Sequence, residues 1–315
     1  VALEERPLSP SGRQIELVWN DQHAAVTTVG AGLRAYSAGG RDVVDGYGAG
    51  EMSEGGRGQV LIPFPNRVQA GAYEFDGRAH QLALSEPEAG NAIHGLVRWA
   101  AWTLVRHDPQ TAVLEHVLHP QPGYPFSLAL QIEYALGDAG LRVTVTAANI
   151  GAEPCPYGSG AHPYLTAGTA AVDRAILRAP ARTMLRSDAH GIPTGTEPVE
   201  GTPYDFRRPR PIGSMRLDNA FTDLDRDEDG LARVELRDPD GSSSVVLWVD
   251  ESHPYLMLYS GDTLPAAERR RSLAVEPMTC PPNAFRTGEG LIRLAPGESY
   301  TSRWGIAAAG PEAPS

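Results

Sequence analysis

The chain has 315 residues, 41% of them hydrophobic and 21% charged, enough to bury a sizeable core and too apolar for a disordered polymer. Its formal net charge of -12 is spread along the sequence, which argues against a clustered basic surface and so against nucleic acid as a partner. The two cysteines, Cys155 and Cys280, are too far apart for a CxxC pair and support neither a disulfide framework nor a structural zinc site.

The content of 34 Gly and 27 Pro predicts little helix, since both residues favour turns over helix interiors. No apolar run approaches the roughly 18 residues needed to span a membrane, so no membrane partner is expected. The N-terminus lacks the charged start and apolar stretch of a signal peptide, and cytoplasm is the default location. Val1 in place of Met leaves a removed leader open.

In chain order, Gln14 to Trp19 and Ala24 to Val29 are the first strand candidates. Gly55-Gly56-Arg57-Gly58 follows; it lacks the Lys-Ser/Thr ending of a phosphate loop, and no helix comes after it. Tyr73-Glu74-Phe75, an Asp76-Gly77 turn and the residues through Leu84 read as a short hairpin, and Ala112 to Leu118 as another strand. The longest alternation runs from Phe126 to Leu136, turns at Gly137-Asp138-Ala139-Gly140, and returns through Leu141, Val143 and Val145. Ala232 to Arg237, an Asp238-Pro239-Asp240-Gly241 turn and Val245 to Val249 repeat the pattern. Tyr255 to Tyr259, Leu273 to Val275 and Tyr300 to Ile306 complete the strands, and Gly310 to Ser315 reads as a frayed tail. Two short basic clusters, Arg207-Arg208 with Arg210 and Arg269-Arg270-Arg271, read as solvated loops. Many short strands without a helical stripe, a linker or a repeat predict one all-β domain over 1–309, a sandwich or a barrel.

Five polar segments interrupt this pattern: Pro65-Asn66-Arg67-Val68, Asn91-Ala92-Ile93-His94-Gly95, Gly160-Ala161-His162-Pro163-Tyr164, Leu217-Asp218-Asn219-Ala220-Phe221 and Val275-Glu276-Pro277-Met278-Thr279. His162 and Glu276 each precede a proline, which drives the backbone toward extended geometry and fixes the direction of the side chain. Such fixing suits an acid/base residue, which must stay within hydrogen-bonding reach of its proton. The plainer alternatives are a hydrogen-bonded core imidazole for His162 and a rim carboxylate for Glu276. Among the nine histidines, His116 and His119 lack the helix of an HExxH site, and a three-histidine metal site assembled in space is the minor alternative. No GxSxG elbow is present.

Those five segments, in that order, resemble the aldose 1-epimerase (galactose mutarotase) family. The likeness runs from Pro65 to about Phe285 and takes in Gly71-Ala72-Tyr73-Glu74-Phe75-Asp76-Gly77. It implies a single large antiparallel β-sandwich, the family's supersandwich. It also implies a small-molecule sugar substrate, with no cofactor and no metal. By this resemblance His162 is the general acid that protonates the ring oxygen, and Glu276 the general base that takes the proton of the anomeric hydroxyl. The two must then face each other across a sugar-sized hollow. Arg67 and His94 correspond to residues that hydrogen-bond the sugar near its reacting end, Asp218 to one that holds ring hydroxyls, and Asn66 and Tyr164 to supports of the pocket. Ordinary pKa values of roughly 4.3 and 6.5 suit a glutamate base and a histidine acid near neutrality.

The run His94-Gly95-Leu96-Val97-Arg98-Trp99-Ala100-Ala101-Trp102 is shorter than the glycine-rich stretch usual in galactose mutarotases. It is closer to less characterised bacterial epimerase-like branches, some associated with sulfonated or otherwise modified sugars. Arg98 is then either a contact for an anionic substituent or, as the favoured account, a surface arginine. Two further functions remain open: a carbohydrate-binding β-sandwich without catalysis, and a glycoside hydrolase or lyase using Asp218 and Glu276.

Overall fold

The computed structural model describes residues 9–309. Gly310 to Ser315, read above as a tail, lie outside the described residues. The molecule is a large antiparallel β-sandwich, and the helical content among the described residues is one 3-10 turn, Val172–Arg174, and one α turn, Ala284–Thr287. A 12-stranded sheet runs in the order Gln14–Trp19, Gln22–Thr27, Leu33–Ala38, Arg41–Val44, Tyr164–Leu165, Leu273–Met278, Tyr255–Tyr259, Asp218–Leu224, Ala181–Ser187 and Pro193–Pro198. Gly160–Ala161 joins it by pairing with both Leu273–Met278 and Val60–Leu61. A 9-stranded sheet is built from Thr103–His107, Thr111–Leu118, Leu128–Gly137, Gly140–Asn149, Ser299–Ala309, Ser244–Val249, Ala232–Arg237, Ile176–Arg178 and Arg210–Pro211.

The period-two segments fold as their alternation demands. Leu128–Gly137 pairs with Gly140–Asn149 from Leu128 opposite Asn149 to Gly137 opposite Gly140. Leu130, Ile132, Tyr134, Leu141, Val143 and Val145 all point into the core. One contiguous apolar cluster takes in Leu17 and Val26 of the first sheet together with Ile132 and Leu247 of the second. Burying one face of each sheet against the other is the dominant stabilising term, at about 25 cal/mol per Å² of apolar surface removed from water. No described helix is long and apolar enough to cross a membrane.

Strands that escaped the sequence reading lack simple alternation. Leu33–Ala38 and Arg41–Val44 are bent by irregular register between Ala25 and Val26 and between Tyr36 and Ser37, which breaks the period of two. Pro193–Pro198 is an edge strand with no buried residue, so its sequence carries no apolar face. Leu273–Met278 is buried at every position, and it continues past Val275 through Glu276 and Pro277. The basic cluster near position 270 is not a solvated loop throughout. Arg270 reaches Asp173 at 2.8 Å and Asp262 at 2.9 Å, and ties the segment between Gly261 and Ser272 to the turn before Ile176–Arg178.

Candidate active site

The strand Leu273–Met278 places Glu276 near the middle of the larger sheet, opposite Met257 on one side. On its other side the neighbour is interrupted: Gly160 pairs with Met278 and Tyr164 with Ala274, and His162-Pro163 spans the gap. The backbone of His162 is held at both ends, its N–H donating to the Gln59 carbonyl at 3.0 Å and its carbonyl accepting from Gly58 N–H at 2.9 Å. Val275 N–H donates to the Pro163 carbonyl at 3.1 Å. His162 and Glu276 therefore come from adjacent chain segments in one sheet. Their side chains meet, Nε2 to Oε1, at 3.3 Å. The two residues are 4% and 2% exposed. They stand side by side in contact, rather than across a hollow as the sequence reading had it.

A second anchor comes from the pair of short strands Arg67–Gln69 and Asn91–Ile93, with Arg67 opposite Ile93. Asn66 and His94 flank this pair in left-handed conformations, at φ 52° and 61°. His94 N–H donates to the Asn66 carbonyl at 2.9 Å, and the Asn66 side-chain oxygen accepts from Arg67 N–H at 3.0 Å. Gly95 must be glycine, because a Cβ there would lie 2.1 Å from the Ile62 carbonyl oxygen. The result sets the His94 ring edge-on to His162, centroids 5.4 Å apart.

Arg67 presents its Nε and Nη2 as a fork to Glu86 at 2.8 and 2.9 Å. Asp218 opens the strand Asp218–Leu224 and is the exposed member of the group, so the cluster reaches solvent on that side. Its carboxyl is raised by the protein walls around it, with Arg67 opposing. Tyr164 is fully buried and stacks on His162 with 5.0 Å between centroids.

Burial dominates the electrostatics. It pushes the Glu276 carboxyl well above its ordinary value, assisted by the Asp218 charge and opposed by Arg67. It also pulls His162 down to about 3, and holds His94 well below its ordinary value. Both shifts disfavour separated charges in a dry site. The imidazole and the carboxyl touch, so the two groups titrate as a coupled pair rather than independently.

Sequence reasoning missed three contributors. Gly55-Gly56-Arg57-Gly58, whose sequence raises and fails only the phosphate-loop pattern, forms one wall of the site. Gly56 lies against His162, where a Cβ would be 2.6 Å from the ring Cδ2. The Tyr164 hydroxyl donates to the Gly55 carbonyl at 2.7 Å, and the Arg57 guanidinium lies over the Tyr164 ring at 4.5 Å while pairing with Asp45 and Glu268. Glu86, the partner of Arg67, had no local motif to mark it. Arg98 is a correction: it is part-buried, with long contacts to Gln59 Oε1 at 3.4 Å and the Ile93 carbonyl at 3.5 Å. It has no carboxylate within ion-pair distance among the described residues. No three histidines gather among the described residues; His94 and His162 come together with Glu276 instead.

A buried imidazole in contact with a buried carboxyl thus lies within the larger sheet of an antiparallel sandwich. The chain belongs to the aldose 1-epimerase family, whose sequence profile matches residues 13–307. It is 36% identical over 291 residues to the uncharacterized protein YihR of Escherichia coli K12, covering 92% of this chain and 91% of that one. It is 27% identical over 237 residues to the galactose mutarotase of Homo sapiens, covering 70% and 66% of the two chains. The fold matches that of an aldose epimerase homologue from C. elegans with a TM-score of 0.84 at 18% identity, over 95% of this chain and 99% of that one. It also matches galactose 1-epimerase from Lactobacillus acidophilus with a TM-score of 0.79 at 22% identity, over 95% of both chains.

Proposed function

We propose that this protein is a mutarotase that interconverts the α and β anomers of a hexose by opening and reclosing the pyranose ring. The observation that carries the reading is the 3.3 Å contact between His162 Nε2 and Glu276 Oε1. The anomeric hydroxyl and the ring oxygen are bonded to the same sugar carbon, so an acid and a base that serve both must themselves stand side by side.

Burial favours the pair's proton on Glu276 and a neutral His162, so the cycle starts once that proton has passed to His162, with the Arg67 charge favouring the freed carboxylate. Glu276 takes the proton of the anomeric hydroxyl while His162 gives its proton to the ring oxygen. The C1–ring oxygen bond breaks, and C1 becomes an aldehyde. Rotation about C1–C2 presents the other carbonyl face, and the reverse transfers close the ring. Protons balance within the pair, and no electrons change hands. Each positioned proton transfer contributes roughly 10²- to 10⁴-fold in rate. His94 and Arg67 hydrogen-bond the sugar at its reacting end, with Glu86 holding the guanidinium in place, and Asp218 receives ring hydroxyls on the open side. Asn66 sets the His94 turn, and Tyr164 backs the imidazole.

Arg98 favours a narrower version of this reading. A part-buried guanidinium without a carboxylate partner suits a hexose bearing an anionic substituent, such as a phosphate or sulfonate. The lectin-like alternative has no use for a buried acid touching a buried base, which is costly to desolvate. A hydrolase would pair Glu276 with Asp218, whose charge acts on it, and would leave the contacting imidazole of His162 without a part in the chemistry.

Polarimetry on freshly dissolved α-D-glucose, α-D-galactose and their 6-phosphates tests the proposal. The expected result is faster decay of rotation, lost in His162→Ala and Glu276→Gln, with the anionic sugars losing more than the neutral ones in Arg98→Ala. Release of reducing ends from a disaccharide, or binding of sugars without any rate change, would overturn it.

A further inference from the structure

We propose that His94, His162 and Glu276 also bind a single borderline-soft divalent cation of the Zn²⁺ class, and that ion and sugar exclude one another. One donor atom from each residue lies within 4.8 Å of the other two, and all three residues are buried. Two imidazoles and a carboxylate are a donor set that zinc accepts, with a fourth position left for water. Bonds of about 2.0–2.2 Å draw tetrahedral donors closer than 4.8 Å, so the cluster must tighten around an ion. His162 and Glu276 already stand 3.3 Å apart, which leaves most of that adjustment to the His94 ring.

A second observation points the same way. Glu276 Oε2 and His94 Nδ1 are buried and have no hydrogen-bond partner among the described residues, while His162 has its Nε2 turned to Glu276. Buried polar atoms left without partners are costly, by about 1–3 kcal/mol each, and such a set is open to an exogenous ligand. Nearby charge does not forbid a dication. Arg67 is neutralised by Glu86, and Arg57 by Asp45 and Glu268, which leaves Arg98, whose charge acts on His94 and His162 and is partly met by that of Glu86. An acid/base pair whose lone pairs are taken by a metal cannot pass protons to a sugar, so the ion inhibits. That last step rests on the mutarotase reading; the binding does not.

The test titrates chelator-treated protein with Co²⁺, followed by its visible absorption, and with Zn²⁺ by calorimetry. The expected result is one ion per chain, with the intense bands of a four- or five-coordinate nitrogen/oxygen site. His94→Gln and Glu276→Gln should each weaken binding by more than about tenfold, since even outer-shell changes cost that much. His116→Gln, whose ring bonds the Ala101 carbonyl in the other sheet, should leave it unchanged. Mutarotation should fall with the same midpoint as binding and return with EDTA. Absence of the bands, or binding that survives in Glu276→Gln and vanishes in His116→Gln, overturns the site. Binding that leaves mutarotation untouched overturns the exclusion. Binding as expected in a protein that shows no mutarotation of any sugar upholds the site, and it is the mutarotase reading that then fails.

Discussion

Tyr164 lies nearly parallel to the His162 imidazole, at an interplanar angle of 20°, and the Arg57 guanidinium also covers the Tyr164 ring. The imidazole is thus held by a flat aromatic wall that is itself pinned by a buried cation and by a hydroxyl bond to Gly55. On the mutarotase reading, this wall sets the ring plane of the proposed acid. Tyr164→Phe removes only the hydroxyl bond and should cost about 0.5–1.5 kcal/mol of stability, with kcat kept within a few-fold. Tyr164→Leu removes the flat surface, and should lower kcat more than it raises KM. Chemical denaturation and polarimetric kinetics on the two variants separate these effects. Equal kcat losses in both would contradict the positioning role.

Gly56 makes a sharper test of the same geometry. At φ 79°, with a would-be Cβ 2.6 Å from His162 Cδ2, it leaves no room for a methyl group. Gly56→Ala should displace the imidazole and lower kcat by up to roughly 10²-fold, the scale of a 1 Å misplacement. The left-handed backbone adds about 1–3 kcal/mol of destabilisation, visible in the unfolding midpoint. A fully active Gly56→Ala variant would mean that His162 has freedom the packing denies it.

Buried neutral imidazoles make stability depend on pH. The folded pKa of His94 lies well below its ordinary value of 6.5, so between those limits the unfolded chain binds more protons than the folded one. Stability therefore rises with pH in this window and is lost on acidification below about 6.5. Glu276, raised by burial, acts with the opposite sign, since its folded form holds a proton that the unfolded form releases above the ordinary value of 4.5. Comparing variants isolates each contribution. Urea midpoints at pH 7 and pH 5 should differ less in His94→Gln than in the parent. An unchanged difference would mean that His94 is charged in the fold or does not titrate there.

Much of this architecture is written locally. The hairpins at Leu128–Asn149 and Ala232–Val249 follow from alternation and turn chemistry alone. So do the directions of His162 and Glu276, fixed by the prolines that follow them. Their contact is not local, since it depends on Tyr164 pairing with Ala274 across more than a hundred residues of chain. Only the family resemblance could join them in the sequence. Glu86, Arg57 and Gly56 belong to no periodic pattern and take on meaning only through what they touch. Arg98 reads as a surface residue because its burial comes from Gln59 and the Ile93 carbonyl, neither of which its own neighbourhood announces.

The central claim is that a single proton, shared by two touching groups, does the chemistry. The most direct measurement is kcat/KM for mutarotation in His162→Ala, Glu276→Gln and the double variant, on the best hexose substrate. Groups that act as one unit lose nearly everything at the first removal, so the double variant should be no slower than the slower single variant. Independent losses that multiply in the double variant, or a single variant that keeps the parent rate, would contradict the account.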